Sequence, residues 1–117
     1  MILNEIKEKL EEVDSNVFYG AVDRKMEKEI WDYIVFNRTV LRTNKGKTGY
    51  TDVYTVHIVR EEWIPEGLAE EVIEKMSEIS GMTVSGTDSE YTYMMKPKTD
   101  AVVEMLSIDF AKVRKKV

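Results

Sequence analysis

Two long runs of strand-forming residues, Trp31 to Arg42 and Tyr50 to Arg60, flank the polar segment Asn44-Lys45-Gly46-Lys47-Thr48-Gly49. That layout predicts a long antiparallel hairpin, because glycine and small polar residues reverse the chain between two segments that must pair. Side chains alternate along each run. Trp31, Tyr33 and Val35 oppose Ile34 and Phe36, while Val53, Thr55, His57 and Val59 oppose Tyr54, Val56 and Ile58. Both faces carry apolar groups, whereas a sheet with one wet face alternates cleanly between apolar and polar.

Around the hairpin the pattern is mixed. Ile2, Ile6, Leu10 and Val13 recur at helical spacing, with Glu and Lys between them, and Asp14-Ser15-Asn16 ends the run. Val17 to Val22 is short and rich in strand formers, and the charged stretch Asp23 to Glu29 is expected to connect it to the hairpin with about one helical turn. Pro65 suits a first helical turn, Leu68, Val72, Ile73, Met76 and Ile79 form a second apolar stripe, and Gly81 suits a left-handed terminus. Met82 to Val84 and Glu90 to Lys96 are strand material on either side of the loop Ser85 to Ser89. Lys96 to Asp100 makes a turn, and Ala101 to Ala111 is a last strand. The 117 residues make one domain, 1–117. The expected fold is α+β, a mixed, mainly antiparallel sheet of about five strands in the order α-β-β-β-α-β-β, with two helices packed on one face.

Two helices, each ~10 Å across, cover roughly 20 Å of width. Five strands at ~4.8 Å spacing span about 24 Å. The helices can therefore hide only one face, and the apolar surplus on the other predicts that copies of the chain cover one another. The competing expectation is a sheet that curls and buries part of both faces within one chain.

The chain has a net charge of -5, no cysteine and one histidine. Acidity argues against a dedicated nucleic-acid binder, since phosphate affinity rests on clustered Lys and Arg. The one basic cluster, Lys112, Arg114, Lys115 and Lys116, fits a solvated, frayed terminus. Disulfides, thiolate metal sites and a Cys nucleophile are excluded, which is compatible with synthesis in a reducing cytoplasm. No signal-peptide pattern or ~20-residue apolar span is present.

Catalytic patterns are likewise missing. His57 stands in a strand between Val56 and Ile58, the place of a satisfied sheet residue, and no G-x-S-x-G elbow accompanies it. Gly46-Lys47-Thr48 matches the tail of a phosphate-binding loop, but Leu41 stands where the leading glycine belongs. Asn37-Arg38-Thr39 matches a glycosylation acceptor by chance, within a strand. Most carboxylates sit on helix faces; Glu104 and Asp109, inside the last strand, are the least typical. Met94-Met95 fits core filling better than a binding surface. No enzyme activity, cofactor or metal is expected.

Phe18-Tyr19-Gly20, Trp31-Asp32-Tyr33-Ile34-Val35-Phe36, Tyr54-Thr55-Val56-His57-Ile58-Val59, Ile64-Pro65, Tyr91-Thr92-Tyr93 and Val103 to Phe110 follow one another in an order that resembles the tail-terminator and tail-completion proteins of long-tailed bacteriophages and prophages. The likeness lies in layout along the whole chain; no single motif is diagnostic. It implies a structural protein without catalytic residues, made in the bacterial host cytoplasm and carried in the virion neck. Such a protein forms a ring, usually a hexamer, that caps the tail tube and meets the head-side connector, with DNA only passing through the lumen and no membrane contact. An acidic lumen would let DNA slide. The expected contact residues are Asn44, Lys45, Gly46, Lys47, Thr48 and Gly49 in an exposed loop, with Trp31, Tyr33 and Tyr54 on the strands.

Two alternatives stand beside this expectation. One is another neck component, a head-tail adaptor or stopper. The other, of a different class, is a small-ligand-binding or enzyme domain with a carboxylate-lined pocket near His57 or Asp109.

Overall fold

The computed structural model describes residues 2–21, 31–43, 49–86 and 88–114. The expected connection at Asp23 to Glu29 and loop residues 44–48 lie outside them. The described elements are α1 (Ile2–Glu11), β1 (Val17–Tyr19), β2 (Tyr33–Thr43), β3 (Tyr50–Glu61), α2 (Leu68–Ser77), β4 (Met82–Val84), β5 (Glu90–Met95) and β6 (Val102–Arg114). This is the α+β fold expected from the sequence, with six strands in one sheet ordered β1-β2-β3-β6-β4 and β5 also on β6. Among the described residues β1 and β2 run parallel and the other pairs are antiparallel.

Alternation decides the faces. Ile34, Ile58 and Leu106 stand in one cross-strand row, and Phe36, Val56 and Ile108 in the next. These rows pack against Ile6 and Leu10 of α1 and Val72 and Met76 of α2 in a single core that also takes in Tyr54 and Phe110. Fully burying each such side chain contributes about 1.5–3 kcal/mol. α1 ends where Asp14 Oδ1 accepts the Asn16 N–H at 2.9 Å. The Asp14 carboxylate also takes Arg60 Nη2 of β3 at 2.6 Å, with the two side chains only 8% and 14% exposed. This largely desolvated, partly buried pair fastens the end of α1 to the sheet.

Several expectations need correction. The second helix starts at Leu68 instead of Pro65, because Gly67 at its N-cap is left-handed (φ +88°) and breaks the turn that Pro65 opens. Ile79 is buried but follows the helix, in the turn leading to Gly81. Met82–Val84 and Glu90–Met95 are strands, as expected, but do not pair with each other: β4 pairs with residues 110–112 of β6 and β5 with residues 102–107, along the same edge. Lys112 and Arg114 are not frayed: β6 continues through them, Lys112 bonds the Ser80 carbonyl, and Arg114 pairs with Asp52.

The second sheet face also differs from expectation. Val53, Val59 and Val103 are buried on it within one chain, as are Thr51 and Thr55. Small β-branched groups on inner strands are shielded by their cross-strand neighbours, here Val40 and Ala111 around Val53, and Tyr33 and Met105 around Val59. The middle of that face is polar. Less of it needs an outside cover than the composition of the strands alone suggested.

Candidate functional site

β6 has thirteen residues and β3 twelve, so β6 spans ~44 Å, whereas α1 and α2 have ten residues each and span ~15 Å. The strands therefore outrun the helix layer. The molecule measures 52 × 26 × 23 Å, with a radius of gyration of 15.3 Å, against about 13 Å for a compact chain of this length. The far ends of β2, β3 and β6, residues 40–43, 50–53 and 111–114, make an arm, with β4 alongside β6 as far as Lys112.

The arm starts at a bulge. Register shifts between Arg38 and Val40, leaving Thr39 as the extra residue, and its hydroxyl donates to the Val53 carbonyl at 3.2 Å. Bulges sharpen the local twist and re-aim side chains. Beyond it every described residue of β2 is exposed, including Val40 and Leu41, with Leu41 at 61%. Val113 is exposed on the end of β6, across β3 and on the opposite face from Leu41. Arg38, Thr39, Val40, Leu41, Asp52 and Arg114 line an open hollow of about 340 Å³. The arm thus ends in apolar groups interleaved with guanidinium groups. Arg114 lies over the Tyr50 ring, 5.2 Å from its centroid, and Arg38 donates to the Tyr19 hydroxyl at 3.2 Å.

On the second face the strands carry a polar network. His57 Nδ1 lies 2.7 Å from Ser107 Oγ, and His57 Nε2 lies 3.3 Å from the Asn37 amide. With that amide turned so that Nδ2 donates to the Phe36 and Gly20 carbonyls at 3.1 Å each, its oxygen accepts from Nε2–H. This orientation assigns Nδ1 as the acceptor for the Ser107 hydroxyl. Burial holds the imidazole below its ordinary pKa of 6.5, partly opposed by the Asp109 charge. In the next row Thr55 Oγ1 donates to Asp109 at 2.6 Å and lies 3.0 Å from Thr39 Oγ1.

Hydroxyl, imidazole and amide stand in the order of an acyl-transfer relay, but the surroundings suit structure. Ser107 sits in the middle of a strand, where ladder bonds occupy the backbone N–H groups that an oxyanion would need. Asp109 is held by Thr55, and Glu104 accepts the Ile64 N–H at 2.8 Å. Among the described residues no three of His, Cys, Asp and Glu gather as a metal site, and no helix is long and apolar enough to cross a membrane.

The expected contact residues are scattered. Tyr54 is 2% exposed and belongs to the helix-side core, so it cannot be a contact residue in this fold; its parity with Val56 and Ile58 puts it there. Desolvation raises its phenol pKa. Tyr33 is half-buried, edge-on to Phe18 with centroids 6.1 Å apart. Trp31 is half-buried beneath the Lys96 ammonium, 5.8 Å from the ring centroid, and its Nε1 has no partner among the described residues. Of the expected loop, Gly49 alone is described, and it is buried with φ +121°.

Sequence reasoning missed Val40, Leu41 and Val113 as surface groups, since alternation alone does not reveal how far helices reach. It also passed over the network, although Asn37 and Thr39, Thr55 and His57, and Ser107 and Asp109 are three polar pairs at strand spacing. The chain matches no protein-family model and no curated protein.

Proposed function

We propose that this chain is a structural neck or tail-end protein of a phage or prophage, which assembles with copies of itself into a ring that caps the tail tube and meets the head-side connector. It acts by shape and interface. The observation that carries this reading is the arm: an elongated projection of β2, β3 and β6 beyond the helix cover, with Leu41 exposed on one face and Val40 and Val113 on the other. Apolar groups on a projecting element favour burial against another protein surface. A projection from one copy onto a different surface of the next is the head-to-tail contact from which rings close. The layout of the sequence supports the same reading, and the net charge of -5 suits a lumen along which DNA slides without being held.

A related neck component, an adaptor or stopper, would use the same arm against a different partner. The test is native mass spectrometry of the chain alone and mixed with a phage tail-tube protein. The expected result is a closed species containing more than two copies, lost in a Leu41→Glu, Val113→Glu variant that still folds. A species indifferent to both charges would remove the arm from the account.

A further inference from the structure

The second unpartnered surface is the outer edge of β5. All six of its residues are exposed, with Tyr93 at 63%, and Tyr91, Met94 and Met95 are each more than half exposed. Among the described residues β5 pairs only with β6. An exposed apolar edge of this length is a template for pairing with another strand, and proteins that avoid such pairing place charges or proline along it. Here the charges stand only at the ends, Glu90 and Lys96.

The hydrogen-bond pattern fixes which backbone groups are free. Lys96 N–H donates to the Ala101 carbonyl at 2.9 Å, Ser85 N–H to that of Asp109 at 2.8 Å, and Glu62 N–H to that of Val102 at 2.7 Å. Odd-numbered residues of β6 therefore point their backbone groups at the β4 and β5 side, and even-numbered ones at β3. With the register Glu90↔Ser107, Thr92↔Met105 and Met94↔Val103, the inward-bonding residues of β5 are Glu90, Thr92 and Met94. Tyr91, Tyr93 and Met95 turn their N–H and C=O groups outward.

We propose that this edge pairs antiparallel with the β5 edge of a second copy about a two-fold axis through Tyr93, joining the two sheets into one. That register sets Tyr93 opposite Tyr93 and Tyr91 opposite Met95, so the outward groups of all three residues meet their own kind. It also sets Glu90 of each copy opposite Lys96 of the other, on the face they share with Thr92 and Met94. A register shifted by two residues toward the start of the strand puts Glu90 opposite Met94 and forfeits this charge match. Lys96 already lies 3.5 Å from Glu61, and its ammonium has further N–H groups for a second carboxylate. The contact closes after two copies and leaves the arm free, so it does not rest on the ring reading and stands or falls separately.

Sedimentation velocity across a concentration series, together with three kinds of variant, tests it. The wild-type chain is expected to move from one-chain to two-chain mass as concentration rises. Tyr93→Pro removes an outward N–H without touching the ladder to β6, a placement that edge strands tolerate, and is expected to weaken the dimer at least about tenfold. Glu90→Lys and Lys96→Glu are each expected to be monomeric alone and to form a two-chain species when mixed, since the mixture restores an attractive pair at both ends. In this cysteine-free chain, Tyr93→Cys is expected to form a disulfide-linked dimer under mild oxidation, whereas Tyr91→Cys, whose symmetry mate lies four residues off register, is not.

Wild-type chains that stay single throughout overturn the proposal. So does mixing that restores nothing, or Tyr93→Cys that links no faster than Tyr91→Cys, which would mean that the edge takes a different strand. Loss of the dimer in Tyr93→Pro with tube binding intact, against the reverse in the Leu41→Glu, Val113→Glu variant, separates this contact from the ring.

Discussion

Replacing Asp14 with alanine isolates the fastening of α1 to the sheet. Asp14 and Arg60 meet at 2.6 Å with 8% and 14% of their side chains exposed, so the pair lies in a low-dielectric setting and not on the surface. Removing one partner of a buried pair costs about 3–5 kcal/mol, chiefly because a charge is left uncompensated. Arg60 Nη1 keeps the Val59 carbonyl at 2.8 Å and that of Tyr33 at 3.4 Å, which places the loss near the low end, about 3 kcal/mol. The lost bond from the Asn16 N–H adds about 1 kcal/mol. A total of about 4 kcal/mol is a large share of the 5–15 kcal/mol typical of a domain.

Urea unfolding followed by circular dichroism should show the midpoint falling with an unchanged slope. Asp14→Asn keeps an oxygen for only one of the two donors, which Asp14 receives on separate carboxylate oxygens, and should lose somewhat less than Asp14→Ala. The Asp14→Leu, Arg60→Met double variant should be more stable than Asp14→Ala, because no charge is then stranded. A loss below about 1 kcal/mol in Asp14→Ala would show that the pair behaves as a solvated surface contact and that the reasoning is wrong.

Other substitutions probe the core, the turn and the network. Phe110→Ala, at a fully buried position, should cost about 3–5 kcal/mol in the same urea experiment. Gly81→Ala should cost about 1–2 kcal/mol, because φ is +79° there and a new Cβ would lie 3.3 Å from Lys112 Nζ; an unchanged midpoint would contradict the left-handed turn. The single histidine gives one imidazole titration by NMR, and its midpoint in the folded chain should lie below 6.5. The unfolded state then takes up the proton first as pH falls. Stability is full above 6.5, declines as pH drops from 6.5 to the folded midpoint and levels off below it. His57→Gln should flatten that part of the stability profile, and a profile that is identical in both proteins would dissociate the imidazole from folding.

Local periodicity carried much of the fold. Ile34 with Phe36, and Tyr54 with Val56 and Ile58, declared their faces because a strand repeats every two residues, and Ile6 with Leu10 did so at helical spacing. What escaped depended on partners distant in sequence. Lys112 and Arg114 look like a frayed basic tail until Ser80 and Asp52, 32 and 62 residues away, are seen to receive them. Ser85 to Ser89 has the composition of a turn, yet β6 is long enough to take both flanking strands along the same edge. The polar network needed the registers of three strands at once, since Asn37 and Ser107 lie 20 and 50 residues from His57. Tyr54 was the costliest misjudgement: an aromatic with a hydroxyl suits an interface, but its parity had already assigned it to the core.

Electron cryo-microscopy of phage tail tubes incubated with this chain tests the proposed ring most directly. The account predicts a closed ring of identical chains on one tube end, each arm seated on the next copy through Leu41 and Val113. Bare tube ends, or chains bound singly with their arms in solvent, would contradict it.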